Sequence, residues 1–294
     1  MLEAKPYKRK IALGYHLLTL PAVLLSGFVV FVPAGITFYA AFTRWNGMSA
    51  MTWVGLKNFE EIAADKIFWQ ALTNNLKWTV MFVTIPVVIG MIGAMFLLKR
   101  KKTRNVFQTI YLIPYVLAPV TNAIIWLNII FSPNSGIIGF FKKMGLNISS
   151  PLGNMDTALG GVAMVDIWHY WGFLTIVYLA ALRQTPEDQV EAAMIEGAGG
   201  WQTFCYVYMP NIAPTVKLMF VMIVIYSFLT FDYVYLLTSG GPAHATEMLS
   251  TLAYAAAFST FQFGKAAAIS MVMGLFGTIA AFFYTWLSRK DVTI

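Results

Sequence analysis

The sequence predicts an all-α integral membrane protein with about six transmembrane helices and a cytoplasmic helix–turn–helix between the fourth and fifth. Three observations lead there. Of the 294 residues, 59% are hydrophobic and 11% are charged. An average soluble domain has about 25% charged residues, so this chain lacks the charges to cover a soluble surface. The apolar residues also fall in blocks long enough for a bilayer, which takes about 20 residues at 1.5 Å rise each. Finally, the basic residues cluster between those blocks, as the positive-inside rule expects.

The elements follow in order. Lys5, Lys8, Arg9 and Lys10 precede an apolar run that continues to Phe42. A signal-peptide core is about 7–15 residues long, so the run reads as a retained first span at 15–42. Further blocks lie at 73–98, 106–131, 159–182, 215–238 and 266–288. The second, third and sixth blocks are essentially free of charge, whereas the fourth holds Asp166 and His169 and the fifth holds Asp232. Pro21, Pro33, Pro86, Pro114 and Pro119 fall inside spans, where neighbouring helices can satisfy the freed backbone. Gly90 with Ala94, and Gly274 with Thr278, are spaced as close-packing faces. The chain divides into 1–72 (tail, first span and outer loop), a core at 73–288 that includes a loop at 183–214, and a tail at 289–294.

Charge fixes an expected orientation. With the N-terminus in the cytosol, the inner segments hold twelve basic residues: Lys5, Lys8, Arg9, Lys10, Lys99, Arg100, Lys101, Lys102, Arg104, Arg183, Arg289 and Lys290. The outer segments hold six: Arg44, Lys57, Lys66, Lys142, Lys143 and Lys265. Lys77 and Lys217, at span ends, are left out. The asymmetry puts both termini inside.

Several function classes drop out. The net charge of +7 is spread over short clusters and forms no basic face for nucleic acid. Cys205 is the single cysteine, so there is no internal disulfide framework. No phosphate-binding G-x-x-x-x-G-K-[ST] motif is present. His16, His169 and His244 are scattered over separate segments and suggest no metal site.

The segment 183–214 is unusual for an inner loop, with Glu187, Asp188, Glu191 and Glu196 close together. Pro186 suits a first helical turn with Thr185 as its N-cap, and the acids suit the positive end of the helix dipole. Ala192 and Ala193 keep one face smooth for close approach. Gly197, Gly199 and Gly200 stop the helix, and a second short segment with Trp201, Phe204 and Tyr206 leads to Pro210 and Pro214.

Glu191-Ala192-Ala193, Gly197 and the run Val207-Tyr208-Met209-Pro210 resemble the EAA loop of binding-protein-dependent ABC importers. The family usually has Ile and Leu where this chain has Val207 and Met209. Val54-Gly55-Leu56-Lys57-Asn58-Phe59, Tyr111-Leu112-Ile113-Pro114 and Leu236-Leu237-Thr238-Ser239-Gly240-Gly241-Pro242 are similar to the sugar-permease branch. The resemblance implies a coupling helix that docks on a cytoplasmic ATPase, with Glu191 meeting a basic group there and Gly197 supplying the sharp turn. It further implies a second homologous permease subunit, two ATPase subunits that bind ATP and Mg, and an extracytoplasmic solute-binding protein. The chain itself would then carry no cofactor and no catalytic residue.

Ionisable groups inside spans usually face a cavity. Asp232 on a fifth span centred near Ser227 would lie about 7–8 Å outside the midplane, and Asp166 on the fourth span at matching depth. Below them come Tyr170, Tyr226, Ser227 and Thr230; Tyr226, Thr230 and Tyr233 share one face of an uninterrupted helix. In the sugar permeases the helix after the coupling loop lines the pathway, and the resemblance places Ser227 and Thr230 on its middle turn; with Tyr226, Asp232, Tyr170 and Asp166 they are the candidates for it. The alternatives stay open: tyrosines also serve as interfacial anchors, Ser and Thr also bond back to their own helix, and His169 reads as an interfacial or core residue. The resulting expectation is a permease for a sugar, oligosaccharide or polyol derivative. Its rivals are an importer of an amino acid, peptide or anion, a self-contained carrier, and a membrane-embedded enzyme using Asp166 with His169.

Overall fold

The computed structural model describes residues 5–100, 102–146 and 148–289, with side-chain surroundings for the described residues between 18 and 286. Lys101 and residues 290–294, which include Lys290 and most of the expected C-terminal tail, lie outside the described residues. Among the described residues five helices are long and apolar enough to cross a membrane, or six if one sharply bent pair counts as a single span.

Helix α1 (Lys5–Ala41) runs along the outside of the molecule against the last helix, α13 (Phe263–Arg289). The most apolar stretch of α1 buries nothing within the chain, so its apolar surface is left for lipid or another subunit. A two-stranded hairpin follows, with β1 (Thr43–Arg44) antiparallel to β2 (Thr52–Trp53). Asn58, in the short α2 (Lys57–Ala64), donates to the carbonyls of Ala41 and Thr43 at 2.8 and 2.9 Å and pins the hairpin to the end of α1.

Helix α3 (Lys66–Leu98) begins seven residues before the expected block. Its first two turns are amphipathic, with Phe68 and Ala71 buried, and the Asp65 carboxylate caps it by accepting from Ile67 N–H at 2.9 Å. Hydropathy alone passes over such a start. Helix α7 (Ala158–Leu182) packs along α3 to form the central pair. Trp78, Leu174, Tyr178 and Leu179 are fully buried between them and their neighbours. Gly90 and Ala94 pack as expected: a Cβ on Gly90 would press on Leu174 at 2.9 Å. Gly274 has open space around it and Thr278 is exposed, so that second pair packs against nothing within the chain.

The third apolar block is not one straight span. It divides into α4 (Arg104–Val116) and α5 (Pro119–Ile125), the latter continuing as a π-turn through Ile130, and the two axes meet at 93°. Pro119 opens α5 and forces its predecessor out of the helical region; Leu117 and Ala118 are extended, with ψ of 133° and 139°. The outer segment after it carries α6 (Ile137–Lys143) and a 3₁₀ turn at Pro151–Gly153.

The inner loop forms α8 (Glu187–Ile195) and α9 (Gly200–Thr203). Pro186, not Thr185, is the N-terminal boundary of α8, and Thr185 is buried at the end of α7. The chain leaves α7 after Leu182, and because the residue before a proline is disfavoured in the helical region it restarts only after Pro186. The second segment does not stop short of the membrane either. It passes through a π-turn at Phe204–Tyr208 into α10 (Met209–Leu229), giving one apolar helix over Gly200–Leu229.

The fifth block breaks as well. Helix α10 ends at Leu229, Phe231 has φ −137° and ψ −53°, and the chain restarts as α11 (Asp232–Thr238). Ser227 therefore stands in the last turn of a helix, not at its centre, and Tyr226, Thr230 and Tyr233 do not share one helix. No glycine or proline marks this break. Beyond it a further apolar helix, α12 (Leu249–Tyr254), continues as a π-turn to Ser259 before α13. It was not anticipated because it is shorter than a span. Two cores result: one around α3, α7 and α10, the other around α1, α12 and α13.

Candidate functional site

Two places in the fold hold the residues singled out from the sequence. The first is the inner loop. Gly197 has φ +83°, a conformation open to glycine at little cost. Ala198 N–H donates to the Ala193 carbonyl at 2.9 Å and Gly197 N–H to Met194 at 3.1 Å, the paired bonds of a Schellman motif. The turn is thus set by local backbone chemistry. Asn211 on α10 donates to the Gln189 side chain at 2.9 Å, tying α8 to the base of the next helix. Helix α8 buries no residue fully, Glu191 and Ala192 are exposed, and Ile195 is 87% exposed. Trp201 and Tyr206 are also exposed nearby. Acids, small residues and large apolar side chains share one surface with no cover from the rest of the chain.

The second place is a cavity of about 330 Å³ where the two breaks converge. Asp166, Tyr170, Tyr226, Ser227, Thr230 and Asp232 all line it. The sequence reading missed its other walls. Trp78 and Phe82 come from α3, Tyr115 and Pro119 from the α4–α5 bend, and Tyr233 from α11. The proline pair Pro114 and Pro119 was a sequence signal for the bend, but nothing local signalled the break after Leu229.

Irregular backbone at membrane depth persists only where its polar groups are satisfied or face a cavity. Four carbonyls around the α10–α11 break have partners. Asn75 on α3 donates to Ser227 O at 2.8 Å, the Thr230 hydroxyl donates to Tyr226 O at 3.0 Å, and Tyr235 N–H donates to Phe231 O at 2.9 Å. The Ser250 hydroxyl donates to Thr230 O. Asn75 also accepts from Leu249 N–H at 2.9 Å, so one buried amide joins α3, α10 and α12. Its neighbour Asn74 donates to the carbonyls of Ala245 and Glu247. At the other break the His169 ring lies 5.2 Å from that of Tyr115, centroid to centroid, with its Nδ1 3.8 Å from Asp166 Oδ1. The close passage of α4 over α7 depends on Gly172, where a Cβ would overlap the Tyr111 carbonyl.

The candidates differ in what they present. Ser227 is 2% exposed and its hydroxyl donates back to Ile223 O at 2.7 Å. Tyr226 and Asp232 are exposed, and Asp166 and Tyr170 are half-buried. Asp166 and Asp232 line the same cavity. The arrangement can accept hydrogen bonds from hydroxyls and offer aromatic faces to a sugar-sized molecule. Among the described residues no group of three or more His, Cys, Asp or Glu is placed to hold a metal ion.

Comparison with known proteins agrees with this architecture. The chain is 31% identical over 288 residues to a probable ABC transporter permease protein of Pyrococcus horikoshii, covering 96% of this chain and 98% of the relative. It is 30% identical over 288 residues to a probable starch degradation products transport system permease protein of Thermoanaerobacterium thermosulfurigenes, covering 98% and 97%. Its fold matches, with TM-score 0.83 at 22% identity and 97% and 98% coverage, the crystal structure of a bacterial ABC transporter involved in the import of the acidic polysaccharide alginate. Residues 86–290 match the model of the binding-protein-dependent transport system inner membrane component. The chain belongs to that family.

Proposed function

We propose that this permease forms half of the translocation pathway of an ATP-driven importer for a sugar, oligosaccharide or related polyol derivative. The observation that carries the reading is the convergence of Asp166, Tyr170, Tyr226, Thr230 and Asp232 on one cavity at two chain breaks. Broken helices whose free ends face a central cavity are a recurring way to build a solute site in a membrane. Ser227 holds the end of α10, and its neighbours face the solute. The sugar class draws support from the relative named for starch degradation products.

Helix α8 and the turn at Gly197 dock on an ATPase subunit, with Glu191 meeting a basic group there. A second permease supplies the other half of the pathway, two ATPase subunits bind and hydrolyse ATP, and an extracytoplasmic binding protein delivers solute. Both termini lie in the cytosol, consistent with twelve inner against six outer basic residues. Cysteines placed at Lys57 and Lys142 in a Cys205→Ser background react with an impermeant reagent from outside, and one at Lys102 does not; the opposite pattern removes the orientation. The function itself is tested by reconstituting the complex with its binding protein and measuring ATP hydrolysis on adding a panel of saccharides. Hydrolysis that stays at its basal rate with every saccharide, alongside stimulation by an amino acid or peptide, overturns the sugar reading.

A further inference from the structure

The charge of the cavity narrows the solute, an inference that rests on the pathway reading above. Asp166 and Asp232 line the cavity from α7 and from the first turn of α11, and among the described residues no lysine or arginine lines it. The titratable base on the wall is His169, whose Nδ1 lies 3.8 Å from Asp166 Oδ1. Lys77 lines a separate groove with Asp156. Tyr115, Tyr170, Tyr226, Ser227, Thr230 and Tyr233 add neutral polar groups to the lining. Inside a membrane charge is weakly screened, so the acids of the wall, Asp166 and Asp232, set the sign of the potential there.

We infer that this half of the pathway rejects anions and passes a neutral, hydroxyl-rich solute. Carboxylates accept hydrogen bonds from sugar hydroxyls without a counter-charge, whereas a uronate or sugar phosphate would meet like charge with no basic group to offset it. The relative structure that imports an acidic polysaccharide shares the fold, so the backbone leaves the charge of the cargo open and the side chains decide it.

Charged thiol reagents report this potential without a known solute. Thr230→Cys is made in a cysteine-free complex carrying Cys205→Ser, with Tyr226→Cys as a second position should the first fail to assemble. Each is treated with matched cationic and anionic methanethiosulfonates. The cationic reagent should react on the order of tenfold faster, after division by the ratio measured on free cysteine. Adding Asp166→Asn and Asp232→Asn should return the ratio most of the way to that of free cysteine. A corrected ratio of one or below at both positions overturns the inference, as does a ratio unchanged by removing both carboxylates. The saccharide-dependent ATPase assay is separate: a complex that imports sugars yet favours the anionic reagent keeps the importer reading and loses anion rejection. A complex that no saccharide stimulates loses the sugar reading, while the thiol ratio still reports the cavity.

Discussion

The inner loop and the cavity are built in opposite ways. The loop is local. Its helix start, glycine turn and restart lie within Pro186–Gly200, and the backbone bonds that shape it join residues at most five apart. The cavity is assembled from α3, the α4–α5 bend, α7 and the α10–α11 break. Its backbone is held by contacts such as Asn75 to Ser227, which span 152 residues. A surface meant for a partner can be local because the partner supplies the burial. A polar cavity in a bilayer cannot, because each freed backbone group needs a partner from another helix.

Mutations should separate the two regions, beginning with the largest effect. Glu191→Ala removes the charge proposed to meet the ATPase. Losing one partner of a charge-assisted contact at an interface costs about 2–5 kcal/mol. Uptake should fall by roughly thirtyfold or more, with the subunit still inserted and its own stability unchanged, because Glu191 is exposed. Equal loss of inserted protein would show that the loop also stabilises the fold and would erase the contrast.

Asn75→Ala is the opposite case. It orphans the Ser227 carbonyl and the Leu249 N–H, each costing about 1–3 kcal/mol when left buried without a partner. Thermal stability of the detergent-solubilised subunit should drop by several degrees, and basal ATP hydrolysis per folded complex should remain. An unchanged melting temperature would mean that the break is held by something other than this amide.

Asp232→Ala probes the cavity wall. A hydrogen bond to a charged group contributes about 1.5–3 kcal/mol, so transport efficiency should fall roughly tenfold or more and the ranking of saccharides should shift. Basal hydrolysis and stability should be spared, since the side chain is exposed. Parental rates and ranking would move the pathway to another face.

Ser227→Ala should have the smallest effect. Its hydroxyl returns to Ile223 O within the same helix, and such a bond contributes about 1 kcal/mol or less. Transport within about twofold of the parent, measured beside Asp232→Ala, separates a positioning residue from one that touches solute.

The sequence carried the spans and the inner loop far into the structure. The fourth block, 159–182, and the helix Ala158–Leu182 differ by one residue at their N-terminal end. The turn at Gly197 fell where the glycine stood. The six pathway candidates do meet, but the helix face that joined Tyr226 and Thr230 to Tyr233 is interrupted: Tyr226 lies before the break, while Thr230 lies at it and Tyr233 beyond it. The agreement came from composition, since polar residues in apolar blocks have few places to go except a cavity. His169 was read as an interfacial or core residue and stands on the cavity wall.

What the sequence determined by itself is what depends on composition and near neighbours: a chain too apolar for water, blocks long enough to span, an acidic helix closed by a glycine. The tertiary structure decided where the spans break. Pro119 left one trace of its own, but at the break after Leu229 the carbonyls of Ser227 and Thr230 are met by Asn75 of α3 and Ser250 of α12. In a bilayer no water can take their place, so the backbone there is held by side chains from other helices.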